Sequence, residues 1–408
     1  MPGAVSALGK LLAPMGLEPL QAGGSGSAEA DAPTRFADGS AVGVELVSGD
    51  TSAMGLGTVT RVEGDLATAF GHPMMSGGYT SLPTAVAKVL WFLASQSRSF
   101  KIGMAVRPLG ALVDDRQASV TLSHSAVAPV IKTHVKISGV PGAPYTDWNF
   151  KVAHEKFMAP SFVAVAVGSA LESTASERTD VTWTIHSKIR VRGHGEIQVQ
   201  DFGVAVGGTP GTSDLNRSNL VNAVGAVLNN PWEPAFVESV DVAVELRYAR
   251  DVYRLRGAEL LDPEVEAGET ARIRLTLVPF AGATVERIVK VVIPRRFAGE
   301  KVKLEIRPGY AVEKPKAEPE NVADLVARFQ NVTYPPQSVV VSYASGAGVS
   351  HMGQVADDLP PGVVDTLTVR STSVAPEVFK AEHHEATDLS AFLMGRESVT
   401  VRVRPLAK

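Results

Sequence analysis

The segment GTVTRVEGDLATAFGHPM, residues 57–74, decides the fold of the first half of this chain. The residues on either side of the turn Glu63-Gly64-Asp65 are rich in β-branched types, which predicts a β-hairpin. The returning strand is followed by Gly71 and His72, so a single histidine is expected where a strand ends. Such a position suits a general base, because the scaffold is rigid while one edge of the ring stays accessible.

Similar short runs, separated by Gly and Pro turns, continue to about residue 245. They are Ala41–Val47, Gly57–Val62, Ala118–Leu122, Val130–Ile137, Phe162–Val167, Asp180–Ile185 and Lys188–Val191. Evenly spaced strands of this kind predict an all-β barrel or sandwich. Leu82–Ser95 fits either a helical face or a buried strand. A helix is expected at Asn216–Leu228, with Asp214 as its N-cap.

The second half alternates apolar and charged residues in Val240–Leu246, Ala271–Leu277 and Lys301–Ile306. This pattern favours an antiparallel sandwich with one buried and one wetted face. Leu261–Glu269 resembles the inter-strand loop of immunoglobulin-like modules, so such a sandwich is expected at residues 238–311. Beyond it, a short helix is predicted at Val322–Phe329, and strands are predicted at Ser338–Tyr343, Val364–Arg370 and Ser398–Val403. These strands form either a small third unit or the completion of a sheet begun earlier.

The first 40 residues are expected to hold a short helix, Ala4–Leu12, and a Gly/Ser-rich linker from residue 21 onward. Pro14 and Gly16 interrupt the apolar run, so no signal peptide is predicted. No run approaches the length of a membrane span. The domains predicted are therefore residues 1–40, 41–237, 238–311 and 312–408.

Composition excludes several classes of function. The chain of 408 residues has a formal net charge of −4 with dispersed Lys and Arg, which gives no indication of a nucleic-acid or anionic-membrane partner. It has no cysteine, so disulfides, thiolate metal sites and cysteine nucleophiles are excluded. No Walker loop, Rossmann fingerprint or Gly-x-Ser-x-Gly elbow occurs, and no cofactor is predicted.

Residues 43–74 resemble the SpoIVB-type serine peptidases, the sporulation stage IV B peptidases and their bacterial relatives. In that family a GT(V/L)T strand and a turn lead to a Gly-His whose histidine is the catalytic base. Further matches follow in order at Ser99–Gly103, Leu109–Ala111, Asp115–Arg116 and Ala128–Ile131. The resemblance covers residues 40 to 240 and implies a chymotrypsin-like β-barrel portion.

The chain departs from the family at the nucleophile. The family serine opens a Gly-Met-Ser-Gly-Ser-Pro-like segment, with the triad acid shortly before it, and no such segment occurs here. Gly23–Ser27 is the nearest match in letters, but it is interpreted as linker because a catalytic serine needs a rigid turn and oxyanion donors. In many longer relatives the serine segment precedes the histidine segment, so this chain is expected to begin after it.

The resemblance makes His72 the candidate general base. In Asp114-Asp115-Arg116, a carboxylate, with Asp115 as the candidate, is interpreted either as one that orients the imidazole or as part of an internal Asp–Arg pair that holds a loop. The second interpretation is favoured because the family acid comes from the serine side. Gly71, Gly77 and Gly78 are expected to shape the loop through positive φ or close backbone approach.

The other polar clusters are interpreted as surface. Glu382-His383-His384-Glu385 looks like a metal motif, but adjacent histidines on a strand point apart, so no metal site is predicted. Arg190, Arg192 and His194 alternate along one strand without interleaved aromatic residues, which disfavours a nucleic-acid groove.

The expected function is that of the C-terminal portion of a SpoIVB-like serine endopeptidase acting on protein or peptide substrates. His72 would be its general base, and the serine would come from an upstream segment or a separate chain. The resemblance suggests the bacterial envelope or the extracellular space. The alternative is a non-catalytic binding or structural module on a degenerate peptidase scaffold.

Overall fold

The computed structural model describes residues 2–13, 30–94, 96, 99–175, 177–314, 318–330, 333–351, 354–368 and 376–406. The chain is mainly β and divides into two compact units, Met1–Tyr248 and Ala249–Lys408. The mainly all-β class predicted from the sequence is confirmed. Within the described residues, no helix has the length and apolar character needed to cross a membrane.

The described residues of unit 1 form eleven strands and four α-helices. The strands are β1 (Ala41–Gly49), β2 (Ala53–Glu63), β3 (Leu66–Ala69), β4 (Gly78–Leu93), β5 (Phe100–Arg116), β6 (Ser119–Ser123), β7 (Val130–Ser138), β8 (Asp147–Ala153), β9 (Val181–Val191), β10 (Gly195–Ala205) and β11 (Val237–Arg247). The helices are α1 (Pro2–Leu12), α2 (Ala159–Thr174), α3 (Thr212–Leu215) and α4 (Asn219–Leu228).

The first six strands form a closed antiparallel ring in the order β1-β2-β3-β6-β5-β4, with β4 pairing back onto β1. Val42 lies opposite Gly57 on one side and Val86 on the other. The fourth strand thus returns beside the first after a three-strand meander, which is a Greek key. Alternate residues such as Val42, Val44 and Leu122 are buried in the ring. Closure removes the free edge where β1 and β4 pair, while residues 87–93 of β4 pair only with β5 among the described strands.

The remaining strands of unit 1 extend the sheet from the far end of β1, where Val47 pairs with Val152 of β8. Their order is β10-β9-β11-β7-β8, with β11 parallel to β7 and the other pairs antiparallel. Helix α2 packs on this part of the molecule and contacts α1 and α4. Ala4 of α1 donates its backbone N–H to Glu172 Oε1 of α2 at 3.1 Å.

The predicted strand Phe162–Val167 is wrong, because these residues lie inside α2. The helix is buried around nearly its whole circumference, so its apolar residues show no period of 3.6. Valines at alternate positions, Val163, Val165 and Val167, imitate a buried strand instead.

Two other local predictions are resolved by the structure. Leu82–Leu93 belongs to strand β4, and Ser95 lies outside the described residues. The predicted helix begins later than Asn216, since Ser218 is the N-cap of α4 and accepts a hydrogen bond from Val221 N at 3.2 Å. Asp214 instead lies in α3 and accepts from Gly211 N.

The described residues of unit 2 form two sheets and two α-helices. The strands are β12 (Val252–Leu260), β13 (Glu264–Val265), β14 (Thr270–Pro279), β15 (Val285–Val292), β16 (Lys301–Pro308), β17 (Ser338–His351), β18 (Gln354–Leu359), β19 (Glu377–Asp388), β20 (Phe392–Met394) and β21 (Glu397–Val403). The helices are α5 (Val322–Arg328) and α6 (Pro361–Leu367). One sheet has the order β15-β14-β12-β20, and the other has β13-β21-β16-β17 with β18 and β19 both on β17. Both sheets contribute to one core, with residues such as Ile273, Leu277, Leu304, Val341 and Leu393 buried in it.

The domain limits in the structure differ from those predicted. Strand β11, expected to open the second domain at residue 238, lies between β9 and β7 in unit 1. Strands from residues 312–408 pair with β12 and β16, so they complete sheets begun earlier instead of forming a third unit. The predicted strand Val364–Arg370 is also wrong as far as Leu367, because it lies in α6, while Val369 and Arg370 lie outside the described residues.

Candidate active site

A sharply turned loop carries His72 away from the end of β3. Phe70 and Gly71 both adopt left-handed φ values, of 70° and 72°. A left-handed conformation is uncommon for phenylalanine and is often found at functional sites. Two backbone hydrogen bonds hold the turn, from Phe70 N to Thr58 O at 3.0 Å and from Gly71 N to Ala69 O at 2.9 Å. The chain direction therefore reverses immediately before the histidine.

The aromatic ring of Phe70 explains the glycine that opens the quoted motif. This ring lies over Gly57 on the neighbouring strand, where a Cβ would collide with it. Gly57 and Phe70 thus depend on each other, because the absence of a side chain at Gly57 leaves room for the Phe70 ring. The same ring meets the His72 imidazole edge-on, with centroids 5.7 Å apart.

The imidazole of His72 is exposed to solvent. Its Nδ1 lies 2.7 Å from the carbonyl oxygen of Pro73. A carbonyl can only accept, so Nδ1 carries the proton in the neutral ring and Nε2 holds the lone pair. Nothing in the described part of the chain hydrogen-bonds to Nε2. This nitrogen is therefore open to an incoming hydroxyl group.

Asp115 holds the loop that follows the histidine. Its carboxylate is 1% exposed and accepts backbone N–H groups from Met74 at 2.8 Å, Met75 at 2.6 Å and Gly77 at 3.3 Å. A carboxylate that accepts several backbone donors in a buried place is a strong local constraint. The structure thus shows Asp115 bound to backbone, with no hydrogen bond to the His72 ring among the described contacts.

The predicted Asp–Arg pair exists, but it uses the neighbouring residue. Arg116 Nε donates to Asp114 Oδ2 at 2.9 Å, and its guanidinium lies over the Tyr79 ring at 4.8 Å. Two features of this segment therefore hold local structure. Asp114 and Arg116 form an exposed ion pair, and the buried carboxylate of Asp115 binds the loop after His72.

The glycines near the histidine differ from one another. Gly71 and Gly78 have φ values of 72° and 63°, as expected of loop-shaping glycines. Gly77 has neither a positive φ nor a close neighbour at the Cβ position, and it contributes through its N–H to Asp115. Ser76 supplies the additional left-handed residue of this loop, with φ of 57°.

Met74 anchors the loop from the inside. Its side chain is 1% exposed and lies against Gly55 of β2, where a Cβ would come within 2.8 Å of the Met74 methyl group. Together with Asp115, this anchor fixes the two residues that follow Pro73. Met74 is not among the residues predicted from the sequence, although an apolar residue after Gly-His-Pro in an exposed loop is a usable signal.

The opposite end of the β2–β3 hairpin is held by a second carboxylate. Asp65 Oδ2 accepts hydrogen bonds from Ser123 Oγ at 2.6 Å and from Ser125 Oγ at 2.8 Å. These hydroxyl donors hold the pKa of Asp65 below its ordinary value. The hairpin that ends at His72 is thus attached to β6 at its turn.

Among the residues that the structure describes, no side chain completes a catalytic pair with His72. Gly23–Ser27 lies outside the described residues. Within the described residues, no cluster of three or more His, Asp or Glu side chains has the geometry to bind a metal ion. His383 stacks on Tyr343 with centroids 4.9 Å apart and His384 lies against Tyr334 at 5.6 Å. Burial lowers the pKa of His384.

Comparison of the chain with protein-family models, with curated proteins and with solved structures gives no match.

Proposed function

We propose that this chain is the histidine-bearing portion of a serine endopeptidase that cleaves protein substrates. The observation that carries the proposal is the state of His72: an exposed imidazole at the end of a barrel strand, with Nδ1 bound to Pro73 O and Nε2 unoccupied. A general base needs this tautomer, because Nε2 must accept the hydroxyl proton of the nucleophile. The resemblance of residues 43–74 to the SpoIVB-type peptidases supports the same role.

The serine and the triad acid would come from a segment outside this chain, and the acid would replace Pro73 O as the acceptor of the Nδ1 proton. When that segment docks, its serine Oγ would approach Nε2 within hydrogen-bond distance and attack the peptide carbonyl. His72 would take the hydroxyl proton, hold it as the imidazolium, and give it to the leaving amine. Asp115 would serve as a positioning residue, because it fixes the backbone that follows the histidine.

One observation favours a second candidate, a non-catalytic binding or structural module. No serine hydroxyl in the described part of the chain hydrogen-bonds to His72. A general base without a nucleophile performs no acyl transfer. The same experiment separates the two candidates.

The experiment combines the purified chain with the product of the coding region immediately upstream of Met1. Cleavage of a fluorogenic peptide library and labelling by a fluorophosphonate probe are measured for the chain alone, the upstream product alone and the mixture. We expect both signals only in the mixture. His72→Ala should lower them by about a thousandfold or more.

His186→Ala is the matched control, because His186 is an exposed histidine of the same unit on β9. Its activity should equal that of the unaltered mixture. An inert mixture, an upstream region without a serine segment, or a fully active His72→Ala mixture would each overturn the peptidase proposal. An inert mixture would favour the binding module.

A further inference from the structure

The β4–β5 hairpin ends in a pair of apolar strand segments that the rest of unit 1 does not cover. We call Leu90–Leu93 of β4 and Phe100–Ile102 of β5 the aromatic tip. Trp91 is 65% exposed and Phe92 is 67% exposed, and their neighbours Leu90 and Leu93 are also exposed. Four consecutive large apolar residues are rarely exposed on a protein surface, and such a patch often marks an interaction site.

Both faces of the aromatic tip are apolar. Cross-strand partners lie on the same face, and the register pairs Trp91 with Ile102 and Leu93 with Phe100. Phe92 pairs with Lys101, which places this ring on the opposite face. A protein partner with a flat surface would cover only one face of this two-stranded hairpin. A medium that surrounds the hairpin would cover both faces.

One face of the aromatic tip lies toward β2 and the other lies away from it. Lys101 Nζ donates to Thr58 Oγ1 at 2.6 Å, and a Cβ on Gly103 would come within 2.9 Å of the Leu56 side chain. The Lys101 face is therefore directed toward β2. The face of Trp91, Leu93, Phe100 and Ile102 is directed away from β2.

The charge of this region is opposite to that of the whole chain. No acidic residue occurs between Asp65 and Asp114, while the same stretch contains Lys88, Arg98, Lys101 and Arg107. The formal net charge of the chain is −4. A locally cationic hairpin with exposed Trp, Phe and Leu has the composition of an interfacial lipid-binding element, because aromatic rings occupy the headgroup level and lysines attract anionic lipids.

We propose that the aromatic tip binds the surface of an anionic lipid bilayer. Trp91 and Phe92 would insert at the headgroup boundary, and the positive charge of residues 66–113 would attract the anionic lipid surface. The tip would act as a peripheral anchor. This proposal does not depend on the peptidase assignment, since none of its residues lies in the His72 loop.

Binding of the full-length chain to sedimented vesicles tests the proposal. The vesicles are equimolar phosphatidylglycerol and phosphatidylcholine, with pure phosphatidylcholine as the neutral comparison. We expect binding to the anionic vesicles that weakens as salt is added, because the attraction of surface cations is screened. Collisional quenching of Trp91 fluorescence by brominated lipid reports insertion, in a Trp232→Phe background that removes the other exposed tryptophan.

The double variant Trp91→Ser/Phe92→Ser should lose about tenfold or more in vesicle affinity. Lys88→Gln/Lys101→Gln should lose about fivefold for each lysine removed. The matched control is Phe157→Ser, because Phe157 is 73% exposed and has a lysine, Lys156, over its ring at 5.1 Å. The control should bind as the unaltered chain does, and circular dichroism should show that every variant is folded.

Absence of binding to anionic vesicles, equal affinity of the unaltered chain and the Trp91→Ser/Phe92→Ser variant, or loss of affinity in Phe157→Ser would each overturn the proposal. Analytical ultracentrifugation of the same samples supplies another decisive outcome. If the unaltered chain self-associates without lipid and the double variant does not, the tip is an interface between copies of this chain and the bilayer assignment is wrong.

Discussion

The carboxylate of Asp115 accepts the backbone N–H of Met74 at 2.8 Å, and Met74 lies two residues after His72. A buried side chain near the end of β5 thus controls the path of the loop that follows β3. Since the same carboxylate also binds Met75 N and Gly77 N, its removal leaves three backbone donors to find other partners. This link joins the stability of the barrel to the geometry of the candidate base.

We expect Asp115→Asn to lower the free energy of unfolding by about 2–3 kcal/mol, because an amide offers one acceptor oxygen where the carboxylate offers two. Urea unfolding measures this change, and amide hydrogen exchange at Met74 and Met75 should accelerate. Asp114→Asn is the control, since Asp114 forms an exposed pair with Arg116. This substitution should lower the free energy of unfolding by no more than about 1 kcal/mol. Equal costs for the two variants would contradict the role assigned to Asp115.

The hydrogen bond from His72 Nδ1 to Pro73 O makes a spectroscopic prediction. At alkaline pH, nitrogen-15 NMR of the ring should show His72 with its proton on Nδ1. His186 is the internal reference, because it is exposed and has no ring hydrogen bond in the described residues. A free imidazole prefers the proton on Nε2, so His186 should show the other tautomer. A proton on Nε2 of His72 would contradict the geometry on which the proposed base depends.

The histidine of the site could be predicted from the sequence, whereas the role of Asp115 could not. His72 follows a hairpin whose turn and strands are local, so its position at a strand end can be inferred from residues 57–74 alone. The bonds of Asp115 join β5 to a loop about 40 residues earlier, with separations of 38 to 41 residues. The residue types do not encode which backbone groups a distant carboxylate meets.

In the fold as well, features set by neighbouring residues could be predicted from the sequence, whereas pairings between distant segments could not. Alternation of apolar and charged residues correctly indicated that β11 has one buried and one exposed face. It did not indicate which sheet supplies the partners, which are β7 and β9. Helix α2 was missed for a different reason, since a helix buried all round has no amphipathic period to detect.

Burial of α2 leads to a prediction about stability. Phe162 is fully buried in this helix, so Phe162→Ala should lower the free energy of unfolding of unit 1 by about 3–5 kcal/mol. Phe157→Ala is the control, because that ring is 73% exposed just before the helix and should change stability by no more than about 0.5 kcal/mol. Thermal unfolding followed by circular dichroism compares the two. A small effect at Phe162 would show that α2 is not part of the core.

The stability of unit 1 should fall in mild acid because of His154. Burial, with a further contribution from Arg192, lowers the pKa of His154, whose Nε2 accepts Val237 N at 3.3 Å. The folded state therefore keeps this ring neutral while the unfolded state takes up a proton at about pH 6.5. Stability falls as the pH drops below that value and levels off once the pH passes the lower folded pKa.

The measurement is the slope of the unfolding free energy against pH for the unaltered chain and for His154→Phe. We expect a shallower slope below about pH 6.5 in the variant, because the titrating ring is gone. Burial raises the pKa of both Glu45 and Asp201, which act in the opposite sense at lower pH. Both residues are present in the two proteins, so their contribution cancels in the difference. Identical slopes would remove His154 as the source of acid sensitivity.

Unit 2 should lose its structure as a whole when β17 is disrupted, because this strand from the C-terminal region pairs directly with β16. Val341 of β17 is 1% exposed and lies opposite Ile306, so Val341→Asp places an unpaired carboxylate in the shared core. We expect hydrogen exchange to show loss of protection in β14 and β16 together with β17, while β1 to β6 of unit 1 stay protected. Val378→Asp is the matched control, since Val378 is 54% exposed on β19 of the same unit and should leave protection unchanged. Retained protection of β14 and β16 in Val341→Asp would show that β12 to β16 hold a separate domain, and that the strands after residue 312 only pack against it.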